Sequence, residues 1–299
     1  MRNVMISKLD DDTKRIIKIK LLNILKCIVS VCEENNLRYF LAYGSCLGAV
    51  RHKGMIPWDS DIDVCMPRPD WNKFVEICRN NDMGCFELYT PEDTPGYFEH
   101  YARVGDKQTT KLQSIYMPCE MGLYVDIHPI DGAKKLSVAK RRYRLFRILE
   151  IVHHLSNSKF PISERWKMMM KGRFLLAIGL SFLYINRKWF SNISLRLLHY
   201  IMEKDHFDES ELAVSFLGIY GYKNIFPVKW VKETVKMKFE ELTVNVPQDY
   251  DSYLKNYYGD YMTPPPVEKR DDRHVLDYLN LYERVSLEKI INNNKYNGN

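Results

Sequence analysis

The sequence lacks the features that mark several broad classes of protein. Only 14 glycines and 13 prolines occur among 299 residues, which excludes collagen-like and low-complexity chains. The seven cysteines include no CxxC pair, so we expect reduced thiols in a packed core, not a disulfide framework or a zinc site. Because 45% of the residues are hydrophobic, the chain has enough apolar surface to bury a core.

Long apolar segments are also missing. The N-terminal residues contain no hydrophobic stretch of the secretory type, which predicts a cytoplasmic protein. The longest apolar run, residues 174–185, is shorter than the ~20 residues that cross a bilayer. We therefore expect that run to form a buried or interfacial helix.

The net charge of +6 is unevenly distributed. Residues 134–204 carry 16 Lys and Arg against three Glu, whereas the rest of the chain carries 28 basic and 35 acidic residues. The basic residues alternate with Leu, Ile and Phe, which predicts basic helices that would contact an anionic membrane or acceptor. The alternative, equally open, is that these helices pack on the body and extend their cations into water.

The spacing of apolar and turn-forming residues predicts an α/β protein. Helices are predicted over residues 9–36 and 69–80, and strands over residues 38–43, 61–66, 86–89, 102–104, 109–112 and 123–130. A turn at Asp131–Gly132 is expected to end the last of these strands. The polar tail after residue 291 is expected to fray.

Three aspartates fall at alternate positions around the second predicted strand. Residues two apart share one face of a strand, so Asp61 and Asp63 should project together, with Asp59 near the start. Clustered carboxylates repel each other unless a cation lies between them, and oxygen ligands without a neighbouring Cys or His favour Mg²⁺ or Mn²⁺. By itself, however, an Asp-x-Asp pattern is more typical of a solvated turn.

The stretch before the aspartates favours the metal interpretation. Gly44 and Ser45 end one predicted strand and open a short helix, where backbone N–H groups and a hydroxyl can approach an anion. Arg51 and Lys53 follow as cations able to reach phosphate oxygens. A phosphate-binding turn beside a metal-binding strand is what phosphoryl transfer requires.

These residues carry a resemblance to a known family. Gly44-Ser45 followed by Asp61-Ile62-Asp63 resembles the signature of the nucleotidyltransferase superfamily. The longer string GSCLGAVRHKGMIPWDSDIDV, residues 44–64, is similar to the LicD family of phosphocholine transferases, which is related to fukutin-type proteins. The resemblance continues in residues 124–132, 239–247 and 258–262.

The resemblance implies a nucleotidyltransferase-type mixed sheet with flanking helices, in which Asp61, Asp63 and Asp126 bind Mg²⁺ or Mn²⁺ and carry catalysis. Taken alone, Asp126 could instead bind an arginine. Residues 1–133 would form the catalytic core, residues 134–210 a basic helical insertion and residues 211–299 the C-terminal part of the domain. Ser60 replaces a common Asp of the family and is not expected to be a ligand, and His128 replaces an aromatic residue, which leaves its contribution open.

The resemblance also implies the substrates. The donor would be CDP-choline or a related CDP-alcohol, and the acceptor a hydroxyl of a cell-surface glycan such as a teichoic acid or lipopolysaccharide, or of its lipid-linked precursor. Gly44, Ser45, Arg51 and Lys53 would bind phosphate, and Arg270 and His274 match a C-terminal motif able to close over it. No nucleic-acid partner is expected.

Aromatic residues near the motif suggest a headgroup pocket. A quaternary ammonium binds best to aromatic faces, so Trp58 is a candidate for choline, although burial in the core explains it equally well. Tyr97, Tyr101 and Tyr124 are further candidates for such a cage.

Two other functions fit the same residues. A nucleotidyltransferase would move a nucleoside monophosphate from an NTP to a small hydroxyl compound. A non-catalytic protein would bind a polyanion through its basic helices, with salt-sensitive binding and no turnover.

Overall fold

The computed structural model describes residues 4–5, 9–114, 118–157, 187–216, 219–270 and 275–296. Within these ranges helices and strands alternate along the chain, which confirms the α/β class. The apolar run at residues 174–185 lies outside the described residues. Across the described ranges, no helix is both long enough and apolar enough to span a membrane.

Two helices have the bounds that their sequence patterns predict. Helix α1 (Asp11–Glu34) buries an apolar stripe, and the Asp10 side chain caps it by accepting a hydrogen bond from the Thr13 backbone N–H at 2.8 Å. Helix α3 (Arg68–Asn80) has a proline in its first turn, where the missing N–H has no intrahelical partner to lose.

The remaining helices lie near the site or at the periphery. They are α2 (Tyr43–Leu47), which continues into a π-helical segment (Gly48–His52), α4 (Leu136–Asn157), α5 (Arg187–Met202), α6 (Tyr250–Tyr258) and α7 (Leu287–Tyr296). Short 3-10 turns occupy Phe207–Glu209, Gly221–Asn224, Val228–Trp230 and Val267–Lys269.

One mixed sheet of seven strands forms the centre of the molecule. Its strands are β2 (Phe40–Leu41), β3 (Asp63–Pro67), β4 (Phe86–Tyr89), β5 (Ala102–Asp106), β7 (Tyr124–Ala133), β8 (Leu212–Val214) and β9 (Ile225–Pro227). The order is β2-β3-β7-β5-β4, and β8 pairs with the far end of β7 and with β9. Strands β3 and β7 run parallel, and the other pairs in this sheet are antiparallel.

Three two-stranded ribbons surround this sheet. Strands β10 (Thr234–Phe239) and β11 (Leu242–Pro247) form a hairpin. Strand β6 (Thr110–Leu112) pairs with β13 (Tyr278–Asn280), and β1 (Val4–Met5) pairs with β12 (Val275–Leu276). These pairings join the C-terminal region to the N-terminal half.

Strand β7 is longer than predicted. The expected turn at Asp131–Gly132 is wrong, because both residues continue the strand and pair with β8. Arg68 donates to both carboxylate oxygens of Asp131, at 2.7 and 2.8 Å, and so neutralises it in the interior. Gly132 has no room for a side chain, since a Cβ there would lie 2.3 Å from the Ser210 Oγ. Turn-forming residue types are thus used here for burial and close packing.

Helices α4 and α5 form an antiparallel pair, which confirms the helix predicted over residues 140–154. Arg142 in α4 donates to the carbonyl of Met202 at 2.6 Å, and His153 contacts the Ser194 Oγ at 2.9 Å. Apolar side chains between the helices form a small core of their own, separate from the main core around the sheet.

Candidate active site

A cleft of about 720 Å³ opens where β3 and β7 lie side by side. The parallel register places Asp63 directly beside Asp126. The cleft is rich in carboxylates, which are Asp59, Asp61, Asp63, Asp126 and Asp260. Among the described residues that line it, the opposing cation is Arg51. A cleft with this charge excess repels a phosphate ligand unless a cation is bound as well.

Asp63 begins β3 and is held by the preceding turn. Its backbone N–H donates to the Ser45 Oγ at 2.9 Å, and its carbonyl accepts from the Ala42 N–H at 2.9 Å. Burial raises the pKa of the Asp63 carboxyl to about 6, an effect that the His128 hydrogen bond opposes and the charge of Asp61 increases. The site therefore strains to hold Asp63 ionised, as expected where carboxylates await a metal.

Asp126 is bound by a buried arginine, which confirms the alternative left open for it. Arg103 lies opposite Asp126 in the antiparallel β5–β7 pair, and its Nε donates to Oδ1 at 2.6 Å. This pairing favours the ionised form of Asp126 and orients its carboxylate toward the cleft. Asp126 lines the same cleft as Asp63, so the arginine does not remove it from the site.

The three tyrosines considered for a choline cage enclose this arginine instead. The Arg103 guanidinium carbon lies 5.6 Å from the ring centroid of Tyr97, 5.4 Å from that of Tyr101 and 4.1 Å from that of Tyr124. These aromatic faces therefore already hold a cation. Their effect on the site is to fix the arginine that positions Asp126.

His128 joins the two aspartates. Its Nε2 lies 3.1 Å from the Asp63 Oδ1, and it shares one face of β7 with Asp126 because the two residues are two positions apart. Among the described residues, the ligand atoms of Asp63, Asp126 and His128 form a group in which all lie within 4.8 Å of one another. Asp61 lines the cleft in the loop before β3 but is outside this group.

This group fits a divalent cation. It combines carboxylate oxygens with an imidazole nitrogen, and the buried His128 Nδ1 has no hydrogen-bond partner among the described residues. The preference for Mg²⁺ or Mn²⁺ over zinc depended on the absence of a neighbouring histidine, and the fold supplies one. Only the alternation along residues 126–128 could have indicated it in advance.

The Gly-Ser turn is built differently from the predicted phosphate cradle. Helix α2 begins at Tyr43, which has a positive φ of 45°, so Gly44 and Ser45 lie inside the helix. Gly44 lines the cleft, and a Cβ there would lie 2.8 Å from the Asp59 Oδ2. Ser45 is buried and is not among the cleft-lining residues. Its hydroxyl contacts the Asp63 backbone.

The predicted basic residues separate into two groups. Arg51 lines the cleft and donates to the Tyr261 carbonyl at 2.7 Å, and burial and the nearby Arg270 lower its pKa. Lys53 is exposed, donates to the Val50 carbonyl at 3.3 Å and is not among the lining residues. His274 lies outside the described residues.

Arg270 and Trp58 come together at the edge of the cleft. The guanidinium carbon of Arg270 lies 5.0 Å from the Trp58 ring centroid, and its Nε donates to the Pro265 carbonyl at 2.8 Å. Trp58 also packs against the core, as its alternative interpretation predicts. Among the described residues neither Arg51 nor Arg270 forms a salt bridge with a carboxylate. Two neighbouring arginines in this state favour an anionic ligand.

The comparison with known families bears directly on this cleft. Residues 36–161 match the family model described as "LicD/FKTN/FKRP, nucleotidyltransferase domain". The chain carries a LicD-family domain. Gly44, Asp61, Asp63, Asp126 and His128 all lie within the matched residues.

Two relatives of this LicD-family chain are named transferases. It is 27% identical over 263 residues to the lipopolysaccharide cholinephosphotransferase LicD of Haemophilus influenzae, a match that covers 85% of this chain and 93% of the relative. It is also 51% identical over 37 residues to the human ribitol 5-phosphate transferase FKRP, a match that covers 12% of this chain and 8% of the relative.

Residues beyond the matched part complete the cleft of the LicD-family domain. Tyr220 and the segment from Tyr258 to Pro265 line it, including Asp260 and Tyr261. The hydroxyls of Tyr220 and Tyr258 lie 3.1 Å apart, and the Tyr220 ring stacks on Tyr43 with centroids 5.4 Å apart. This C-terminal contribution places an aromatic wall opposite the acidic strands.

Proposed function

We propose that this protein is a metal-dependent phosphotransferase that moves phosphocholine, or a similar phospho-alcohol, from a CDP-linked donor to a hydroxyl of a cell-surface glycan or its lipid-linked precursor. The observation that carries this proposal is the convergence of Asp63, Asp126 and His128 in a cleft with a carboxylate excess. Both named relatives transfer a phosphate-linked alcohol according to their names, which supports the same class of reaction.

The residues of the cleft divide the work of the reaction. Asp63 and Asp126, with Asp61 beside them, would hold Mg²⁺ or Mn²⁺, which supplies positive charge to the donor diphosphate. Arg51 and Arg270 would bind diphosphate oxygens from the opposite side, since no carboxylate of the described residues neutralises them. Arg103 would keep Asp126 ionised and oriented.

The transfer balances as a single displacement. The acceptor hydroxyl oxygen forms a bond to the phosphorus next to the alcohol, and the bond from that phosphorus to the CMP oxygen breaks. CMP leaves with the electron pair, and the hydroxyl proton passes to a cleft carboxylate, for which Asp126 is our candidate.

An aromatic wall favours a choline headgroup over a neutral polyol. Tyr43, Trp58, Tyr101, Tyr220, Tyr258 and Tyr261 all line the cleft. Aromatic faces attract a quaternary ammonium, whereas a polyol such as ribitol needs many directed hydrogen bonds. The longer match to the cholinephosphotransferase also supports this choice.

A doubly labelled donor tests the proposal. CDP-choline would carry ³²P in the phosphate next to choline and tritium in the cytosine, and would be incubated with Mg²⁺ or Mn²⁺ and a glycan acceptor. Phosphocholine transfer puts ³²P on the acceptor and leaves tritium in CMP. Tritium on the acceptor would instead show nucleotidyl transfer. Binding without either label transferred would favour a non-catalytic protein, and Asp63→Asn is expected to lose turnover.

We further propose that α4 and α5 hold the enzyme at an anionic membrane, at its inner face if the protein is cytoplasmic. The described residues of 134–204 carry 11 Lys and Arg against two Glu. Exposed apolar side chains lie among them, namely Leu145, Ile148 and Ile151 on α4 and Trp189, Leu197 and Tyr200 on α5. Cations beside exposed apolar groups are typical of surfaces that contact anionic lipid.

A further inference from the structure

We propose that His128 is a ligand of the divalent ion and that its nitrogen makes the site select Mn²⁺ over Mg²⁺. This inference rests on the metal dependence in the proposed function and deepens it. The residue is specific to this chain in the sense that the LicD-type pattern has an aromatic side chain at this position. The proposal thus concerns a substitution that changes the donor set from all oxygen to mixed oxygen and nitrogen.

The geometry brings the imidazole into the cation group. Strand β7 presents Asp126 and His128 on one face, and the parallel register sets Asp63 beside Asp126. The His128 Nε2 lies 3.1 Å from the Asp63 Oδ1. Two ligand atoms bound at 2.0–2.2 Å in adjacent positions of an octahedron lie about 3 Å apart. The observed spacing therefore already suits two neighbouring ligands of one ion.

The burial of His128 points the same way. Its side chain lines the cleft and the residue is only 4% exposed, yet Nδ1 has no hydrogen-bond partner among the described residues. The rings of Tyr101 and Tyr43 pack against it at centroid distances of 4.4 and 6.3 Å. A buried polar atom without a partner is destabilising by about 1–3 kcal/mol. Packing thus orients this ring at an energetic cost, as expected for a residue kept for binding.

The chemistry of the donor set predicts the selectivity. Mg²⁺ prefers carboxylate and water oxygens, whereas Mn²⁺ accepts imidazole nitrogen as well as oxygen. Asp63 and Asp126 alone would serve either ion. Adding His128 strengthens binding of the transition metal and leaves Mg²⁺ with a ligand that it uses poorly.

Pulsed electron paramagnetic resonance of the full-length protein with Mn²⁺ tests the assignment directly. Coupling of the bound Mn²⁺ to an imidazole ¹⁴N is expected in the wild type and absent in His128→Phe. Continuous-wave titration should show Mn²⁺ affinity falling by at least about tenfold in His128→Phe, the size of effect seen when groups supporting a metal site are removed. Competition should show Mg²⁺ affinity within about twofold of the wild type.

Two further variants keep the test sound if His128→Phe folds poorly. His128→Gln retains a hydrogen-bonding group toward Asp63 without an imidazole, and should also lose the nitrogen coupling. His153→Gln removes another buried imidazole, which contacts Ser194 outside the cleft, and should retain it. Thermal unfolding of each variant shows that it is folded.

The outcomes separate this inference from the proposed function. Mn²⁺ bound by the wild type without nitrogen coupling would overturn the role of His128 and leave a carboxylate site intact. Nitrogen coupling without phosphocholine transfer would support the ligand assignment and contradict the proposed reaction. No Mn²⁺ binding at all would contradict both.

Discussion

The Ser45 hydroxyl accepts a hydrogen bond from the backbone N–H of Asp63 at 2.9 Å. The Gly-Ser turn and the aspartate strand are therefore joined directly, and Ser45 acts on the site through the position of Asp63. A serine that bound phosphate itself would need its hydroxyl in the cleft, where Ser45 is not among the lining residues.

Ser45→Ala is expected to weaken metal binding more than donor binding. Removing the acceptor leaves the buried Asp63 N–H without its partner, which should lower the free energy of unfolding by about 1–3 kcal/mol. Isothermal titration with Mn²⁺ and with CDP-choline at saturating metal measures the two affinities. Ser30→Ala is the control, because that serine is exposed and bonds Glu34. A selective loss of CDP-choline affinity would show that Ser45 contacts phosphate instead.

Arg51→Met and Lys53→Met form a matched pair that separates cleft from surface cations. Arg51 lines the cleft whereas Lys53 does not, so we expect KM for CDP-choline to rise by about tenfold or more in the first variant and to stay within about twofold in the second. Steady-state kinetics at saturating metal measures both. Equal effects of the two substitutions would mean that Lys53 reaches the donor after all.

Arg103→Met is expected to be severely destabilising. The substitution leaves the buried Asp126 carboxylate without its 2.6 Å partner, and breaking a buried pair costs about 3–5 kcal/mol. Denaturant unfolding measures this loss, and the double variant with Asp126→Asn should recover part of it.

The control for Arg103 is an exposed ion pair. Arg79 and Asp93 lie 2.6 Å apart, but their side chains are 43% and 40% exposed. Arg79→Met should therefore lower stability by less than about 1 kcal/mol. Similar losses at Arg79 and Arg103 would contradict the role assigned to burial.

Asp63 should make the metal-free protein less stable as the pH rises. Burial raises its pKa from 3.8 to about 6, an effect that the His128 hydrogen bond opposes. Between these two values the folded state holds a proton that the unfolded state has released, so this contribution to stability is lost as the pH passes from about 4 to about 6.

Asp63→Asn removes this dependence and provides the test. With a chelator present, the stability of the variant relative to the wild type should increase by up to about 3 kcal/mol between pH 4 and pH 7. Chemical denaturation across this range measures the difference. A constant difference would show that Asp63 titrates normally.

Reversing charge on α4 should detach the protein from anionic vesicles without affecting donor hydrolysis. Arg141 and Arg144 are exposed, and replacing both with Glu should weaken vesicle binding by about tenfold or more. Sedimentation with phosphatidylserine-containing and neutral vesicles measures it. The control, Lys232→Glu with Lys238→Glu, reverses two exposed charges elsewhere. Equal loss of vesicle binding and hydrolysis would make α4 structural.

The candidate site was partly predictable because some of its residues share a local pattern. The alternation at Asp61 and Asp63 and the apolar run around Asp126 indicate strands, and the parallel pairing of β3 and β7 brings Asp63 beside Asp126. His128 was missed as a partner of Asp63 because the two are 65 positions apart and meet only across that pairing. Arg103 was missed for the same reason, since only the β5–β7 register sets it opposite Asp126.

The sequence by itself determined the α/β class, the bounds of α1 and α3, the acidic character of the strands and the basic character of α4. These follow from periodicity and composition, which act over a few neighbouring residues. The tertiary structure alone decided which cation each aromatic face meets, what Ser45 bonds and which nitrogen joins the aspartates. Those outcomes depend on strand register and burial, because side chains far apart in sequence become partners only when the sheet places them together.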